Sequence, residues 1–313
     1  MILQEKVSLS LSSEIKIPVF VINWNSIDVT EKCIEHLRQN TERSTIQLVI
    51  IDNGSSQLTE QKRLCALRQE KKIDNLFIIS EHIGFSKAFN IATQITTGHY
   101  FCYVSYDCFV ESMWFEMGMK ALLSNVRVGA VCSNVNGMSP NYSYDPSIKH
   151  FYGAIMFFKR DVWYDVGFFD DENFSPAYGE EIDWGYRAIR KGYDLKIATH
   201  SRATHVDGYL DKKMNHSSKI YAIRLIHRIQ YRLLNWSIKD LLRHWKTYLL
   251  EMKYDVKLRR LHLLIYAFWK NLLYFDALYR DRQKRLMNQR INFKMSYHII
   301  SSTDGSFVIH LNR

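Results

Sequence analysis

The side chains best suited to chemistry crowd into one stretch, Tyr178-Gly179-Glu180-Glu181-Ile182-Asp183-Trp184-Gly185-Tyr186-Arg187, where three carboxylates meet a predicted helix start among aromatic residues. Two uses fit that pattern. Acidic side chains complement the positive end of a helix dipole, which is a purely structural role. Alternatively, like charges in a partly buried site raise one carboxyl pKa towards neutrality, and such a group takes a proton from an attacking hydroxyl. Glu181 is then the candidate base and Glu180 its tuner or substitute, while Asp183 stands i,i+4 to Arg187 as an orienting partner. A second site is Asp107, just beyond the apolar run 100–104, where a hard cation bridging two phosphates takes oxygen ligands. A surface-turn aspartate is the alternative.

The elements that must hold these residues alternate in kind. Residues 17–24 read as a buried strand, and Asp28 with Glu31 as a capping box opening a helix over 29–39. Strand 46–51, turn 52–56 and helix 58–71 follow, then strand 76–79, Gly84, a helix towards 97, and strand 100–104. Further strands are expected at 128–133, 151–158 and 195–199, with a helix at 159–166 and another from the acidic stretch to Lys191, ended by Gly192. This alternation predicts a parallel sheet covered on both faces, with ligands at the carboxyl ends of its strands. The polar stretches 23–26, 52–56, 82–87 and 105–108 converge there. Asp52 could bond a nucleobase or ribose hydroxyl, Asn53-Gly54 supplies the turn, and Gly153 stands where a side chain would obstruct a ligand. The polar loop 134–150 has the length of a binding loop or lid, and its Tyr142, Tyr144 and His150 could stack on a sugar or base.

Composition bounds the remainder. With 313 residues, 47% hydrophobic and 24% charged, the chain is globular and long enough for about two domains. Cys33, Cys65, Cys102, Cys108 and Cys132 form no Cys-x-x-Cys pair, so neither a disulfide framework nor a thiolate zinc site is expected, and reduced cytosol fits. The first twenty residues lack the apolar core of a signal peptide, so export is not expected. The net charge of +10 is concentrated: residues 217–290 carry 17 Lys and Arg against 5 Asp and Glu. In that segment Ile220, Ile223, Ile226, Ile229 and Leu233 follow helical spacing while Lys219, Arg224, Arg228 and Arg232 project elsewhere. Its longest charge-free run, 261–269, is too short to span a bilayer. The segment therefore packs on the catalytic part, lies against an anionic membrane leaflet, or does both. Nucleic acid is disfavoured because no recognition motif accompanies the charge. Residues 296–302 and 307–311 around Asp304-Gly305 read as a hairpin that docks on a sheet edge or a second subunit.

Taken in order, these blocks resemble the family 2 glycosyltransferases of the GT-A fold, particularly bacterial rhamnosyltransferases and galactofuranosyltransferases of surface-polysaccharide assembly. Residues 21–25 resemble the family's opening strand, 50–55 its nucleotide turn, and Gly84-Phe85 with Asn90 its glycine-phenylalanine and asparagine helix. Ser105-Tyr106-Asp107 occupies the place of the acidic metal motif, Gly167-Phe168-Phe169-Asp170 with 178–183 resembles the acceptor-site signature, and His205, with His200 as the alternate, resembles the late metal-ligand histidine. The resemblance implies an α/β architecture: a GT-A catalytic domain (nucleotide-diphospho-sugar transferase, Rossmann-like mixed sheet) over 16–210, a basic amphipathic helical segment over 211–290 and a β-hairpin tail over 291–313. It implies a hexosyltransferase-type enzyme of class EC 2.4 that transfers a sugar, with inversion, from a nucleoside-diphosphate donor to a glycan hydroxyl. Implied donor-site contacts are Asn25, Asp52, Asn53, Gly84, Lys87, Asn90, Ser105, Asp107 and Gly153. Asp107 and His205 would hold Mn2+ or Mg2+, mixed oxygen and imidazole ligation leaning to Mn2+. Glu181, with Glu180 and Asp183 beside it, would be the catalytic group, while Trp184 and Tyr178 would supply burial and a face for sugar stacking. The implied partners are a polyprenyl-linked glycan acceptor, an anionic membrane surface and a second copy joined through the C-terminal segment. The implied place is the cytoplasmic face of the plasma membrane. Three departures stand out: Ser105 where Asp or Asn is usual, Gln57 in place of a frequent Asp, and Glu181 where Asp is common. They motivate a second reading, a catalytically silent glycan- or nucleotide-binding subunit of a polysaccharide assembly complex.

Overall fold

A computed structural model of the chain describes residues 16–136, 151–206, 217–257, 259–287, 289–302 and 305–312. The stacking candidates Tyr142, Tyr144 and His150, the boundary at 210–211 and the hairpin's Asp304 lie outside the described residues. Ten strands form one sheet: β1 (Ile17–Asn23), β2 (Ile46–Asn53), β3 (Asn75–Ile79), β4 (Tyr100–Val104), β5 (Cys108–Val110), β6 (Val128–Val135), β7 (Ile155–Lys159), β8 (Asp194–His205), β9 (Tyr297–Ser301) and β10 (Phe307–Leu311). Their order across the sheet is β5-β8-β6-β7-β4-β1-β2-β3-β10-β9. The β4-β1-β2-β3-β10 run and the β6-β8 pair are parallel, whereas β7 runs antiparallel to β4 and β6, β5 to β8, and β9 to β10. The sheet is therefore mixed, not the purely parallel one that strand-helix alternation alone suggests.

Helices α1 (Ile27–Gln39), α2 (Leu58–Gln69), α3 (Phe85–Ile95), α4 (Trp114–Leu122), α5 (Arg160–Val166) and α6 (Glu180–Arg190) flank the sheet. Alternation along the strands divides the core by face. Phe20, Ile22, Val49 and Ile51 join Phe89 and Trp163, while Val19, Val21, Leu48 and Ile50 join Ile34, Leu64 and Trp114. Trp184 is fully buried in the first cluster with its ring stacked 5.5 Å from that of Trp163, so it offers no face to a sugar.

Local chemistry moves several boundaries. The Asp28–Glu31 capping box does not form: Ser26 is the N-cap, its hydroxyl donates to Asn23 Oδ1 at 3.1 Å, and Glu31 pairs with Arg63. Residues 151–154 are not strand, and β8 runs on to His205 through a register shift against β6. Strand β5 and helix α4 were not expected from the sequence.

The basic segment forms α7 (Ser217–Asn235), α8 (Ile238–Arg243), α9 (Trp245–Lys257), α10 (Leu261–Leu273) and α11 (Phe275–Leu286). Helix α7 packs on α6, and α10 and α11 pack on α7. The hairpin β9-β10 joins the sheet through β3, with Phe307 stacked 5.0 Å from Phe77.

Candidate active site

The first strand-end loops are tied to each other more tightly than their polarity suggests. Asp52 is fully buried; its Oδ1 accepts from Asn23 Nδ2 at 2.8 Å and Ser55 Oγ at 2.5 Å, and its Oδ2 from Ser55 N–H at 3.2 Å. Asn53 clamps the 83–84 backbone, donating to Gly84 O at 3.1 Å and accepting from Ile83 N–H at 3.2 Å. Asn90 does the same with the Phe169 backbone, at 3.0 and 3.1 Å. The polar atoms of these three side chains are bonded within the protein, where they brace the strand-end loops. Lys87 also departs from expectation. It lines a separate cavity of about 360 Å3 with Asp171, Asp281, Lys284, Arg290 and Lys294, and burial pushes the Asp171 carboxyl up to about 6. Asn25 stays at the strand ends with a left-handed backbone (φ 49°), accepting from Ser56 N–H at 2.9 Å. Beside it the Trp24 and His82 rings lie 4.2 Å apart. Gly84 adopts φ 84° where Phe85 N–H meets Pro176 O, and a Cβ there would come within 2.9 Å of that carbonyl oxygen.

A second cluster forms where β5 pairs with β8 and Cys108 faces His205 in register. His205 Nε2 lies 3.1 Å from Asp107 Oδ1, which also accepts from Ser105 Oγ at 2.6 Å. Ser105, the departure from an acidic residue, thus orients the carboxylate beside it. Tyr152 Oη approaches His205 Nδ1 at 3.4 Å, which fixes the ring and leaves Nε2 towards Asp107. Cys108 Sγ is close enough that one ligand atom from each of Asp107, Cys108 and His205 falls within 4.8 Å of the others. The Cys108 thiol contacts Ala154 O at 3.8 Å as a donor, which leaves a carboxylate and an imidazole, a set that suits Mn2+ or Mg2+. His200 is exposed at the β8 irregularity, away from this cluster.

The paired glutamates stand at the start of α6. Gly179, at φ 97°, turns the chain so that its N–H donates to Glu181 Oε2 at 3.3 Å. Burial raises the Glu181 pKa, opposed by nearby backbone N–H groups and the Arg224 charge. Glu180 lies deeper, and burial followed by the Glu181 charge holds its pKa well above the carboxylate range; among the described residues its Oε2 has no hydrogen-bond partner. Burial thus raises both carboxyls, and Glu180, beside the Glu181 charge, the further of the two. Asp183 is fully buried and spent: Oδ2 accepts from Arg187 Nε at 3.0 Å, and Oδ1 from Asn235 Nδ2 at 2.7 Å and from Arg285. It orients α6 and is not a proton acceptor for substrate. The preceding loop is gripped by α7, where His227 Nδ1–H donates to the carbonyls of Ala177 (3.0 Å) and Tyr178 (2.7 Å), and the Arg224 guanidinium lies 4.5 Å over the Tyr178 ring.

One short segment joins the two clusters. Tyr152 touches His205, Ala154 O accepts from Ser105 N–H at 2.8 Å, and a Cβ on the intervening Gly153 would stand 3.3 Å from the Glu181 carboxyl group. Glu181 and the Asp107–His205 pair are therefore linked through one three-residue segment. Tyr152, Cys108, Arg224, His227 and Arg285 were not singled out for this site from sequence, because none has a diagnostic spacing.

Residues 19–196 match the family described as Glycosyl transferase family 2. A search of curated proteins finds no significant match. Among solved structures the chain is similar to GalNAc-T7 with UDP, GalNAc and Mn2+ (14% identity, TM-score 0.58), covering 72% of this chain but only 49% of that one. It is also similar to the mannosyltransferase PcManGT from Pyrobaculum calidifontis in complex with GDP-Man and Mn2+ (17% identity, TM-score 0.56, 82% and 87% of the two chains). A third likeness is to residues 1–349 of S. aureus TarS with UDP-GlcNAc (14% identity, TM-score 0.54, 95% and 97%). At these identities the likeness is one of fold, and with the family match over more than half the chain it settles the class: this protein belongs to glycosyl transferase family 2 and is a glycosyltransferase of the GT-A fold.

Proposed function

We propose that the chain transfers a sugar, with inversion, from a nucleoside-diphosphate donor to a hydroxyl of a lipid-linked surface glycan on the cytoplasmic face of the plasma membrane. The observation that carries the chemistry is the Tyr152-Gly153-Ala154 bridge, which sets Glu181 and the Asp107–His205 pair against one another. The nucleobase lies at the strand ends by Asn25, beside the Trp24–His82 ring pair. The diphosphate extends past Gly84 and Ser105 towards Asp107. Asp107 and His205 would hold a divalent cation, Mn2+ or Mg2+, which would supply Lewis-acid stabilisation of the departing diphosphate; two of the similar structures hold Mn2+, one with UDP and GalNAc and one with GDP-Man. The ionised Glu181 takes the acceptor hydroxyl proton as that oxygen bonds to the anomeric carbon. The bond to the diphosphate breaks on the opposite face, its electron pair leaving with the phosphate oxygen, so one displacement inverts the configuration. The neutral Glu180 adds no second negative charge to the site and keeps Glu181 the single base.

The test is turnover of nucleotide sugars with Mn2+ present, read as released nucleoside diphosphate. Glu181→Gln is expected to lower the rate by about 10²–10⁴-fold while donor binding, followed by thermal shift, persists. Undiminished turnover in that variant would remove the base assignment. Donor binding without turnover across a broad acceptor panel would favour the silent-subunit reading instead.

A further inference from the structure

Helix α10 carries a face that nothing among the described residues covers. Its inner side packs on α7 through buried Ala267 and Asn271, the latter donating to Ile226 O at 3.2 Å. Its outer side sets Leu261, Ile265, Phe268, Trp269 and Leu272 at one helical stripe, with Phe268 62% and Trp269 58% exposed. The surface continues onto α9, where Leu249, Met252 and Val256 are exposed, and onto Tyr274 and Phe275 beyond the helix end. Large apolar side chains grouped on one exposed face, not scattered singly, mark an interaction surface. Exposed Lys246, Lys253 and Lys257 lie on α9 itself and exposed Arg259 just before α10, so basic residues accompany the apolar face along the chain.

We propose that this face is an interfacial membrane anchor that takes the acyl-headgroup boundary of an anionic bilayer. Thirteen residues of helix span about 20 Å, short of a roughly 30 Å hydrocarbon core, so α10 lies along the surface and does not cross it. Indole and phenyl rings favour the interface, and each flanking cation adds about fivefold to partitioning onto anionic lipid. Charge also decides against a second copy as the occupant, because a two-fold contact through this face would bring the same basic residues against each other.

The anchor lies close to the acceptor side of the site. Arg260, at the start of α10, sits 3.9 Å over the Tyr221 ring; one turn along α7, Arg224 covers Tyr178, which leads directly into Glu181. A face embedded here presents the base to hydroxyls carried just above the headgroups. The proposal rests on the lipid-linked acceptor reading and deepens it by assigning the surface that meets the lipid.

The experiment floats the full chain with vesicles of phosphatidylcholine alone or mixed equally with phosphatidylglycerol, alongside a nucleotide-sugar thermal shift. Binding to the anionic vesicles that weakens with salt, and that falls more than about tenfold in a Phe268→Glu, Trp269→Glu double variant with its donor thermal shift unchanged, is the expected result. Quenching of tryptophan emission by brominated lipid, reduced in Trp269→Phe, supplies a readout that loss of a structural contact would not move. Should the double glutamate variant fail to fold, Phe268→Ser with Trp269→Ser is read in the same way. Wild-type binding that persists in a folded variant would overturn this face as the anchor and leave the membrane reading standing. No binding by the wild type would overturn both, and a dimer lost in the variant would assign the face to a second copy.

Discussion

At the scale of single residues the decisive feature is that two adjacent glutamates are treated unequally. Glu180 has the deeper position, and burial with the Glu181 charge holds its pKa well above the carboxylate range; Glu181, also raised by burial, keeps the Gly179 N–H as a donor. Glu180→Gln is therefore expected to change turnover only a few-fold, since it replaces one neutral group with another. Its effect should be on stability instead. A carboxyl whose folded pKa is raised binds more protons folded than unfolded, so stability falls as pH rises from the unfolded pKa through the folded one. The Tm advantage of Glu180→Gln over wild type should accordingly be larger at pH 8 than at pH 5; an equal advantage at both would put the proton elsewhere. Glu181 titration shows in kinetics: turnover should fall on the acid side with an apparent pKa above the ordinary glutamate range, a limb that Glu180→Gln leaves in place. Gly153→Ala tests the bridge. Its methyl group must displace the Glu181 carboxyl by a few tenths of an ångström, and we expect kcat to drop by about 10- to 100-fold with donor KM nearly unchanged.

At the scale of elements, α6 is held from behind by helices that composition alone would set apart as a basic appendage. Arg285 of α11 bonds both Asp170 and Asp183, and Asn235 of α7 bonds Asp183, so the carboxylates beneath the Gly179-Glu180 turn are neutralised by the C-terminal segment. Removing one partner from a buried ionic cluster leaves charge without compensation. Arg285→Ala should cost about 3–5 kcal/mol in denaturant unfolding, with loss of activity before global unfolding as α6 loosens. Truncation at residue 216 should fail for the same reason, rather than release an active soluble core. The strand-helix alternation and the acidic turn were legible because they rest on local periodicity and on an unusual density of like charge. Helix α4 was not, because its N-cap is Met113 in a left-handed conformation instead of a capping side chain, and β5 is only three residues long. The backbone clamps made by Asn53 and Asn90 were not legible for a general reason. An amide carries donor and acceptor together and so can clamp a distant backbone as readily as a ligand, and only the fold says which is within reach.

At the scale of the whole molecule, the sheet is completed from the far end of the chain. The fully buried Ile309 and the Phe77–Phe307 stack seal the β3 edge, while β9 takes the outer position. Deleting the β9-β10 hairpin should bare a flat apolar strand, lower Tm and raise light scattering in a concentration-dependent manner; a monodisperse deletion variant would show that the edge needs no cover. The pairing of Phe77 with Phe307 also sets a clock. At ribosomal rates of about 5–20 residues per second, β3 waits roughly 10–50 s for its partner strand to be synthesised. During that interval β3 has no neighbour on its outer side, so the newly made chain is more open to mispairing than the finished protein.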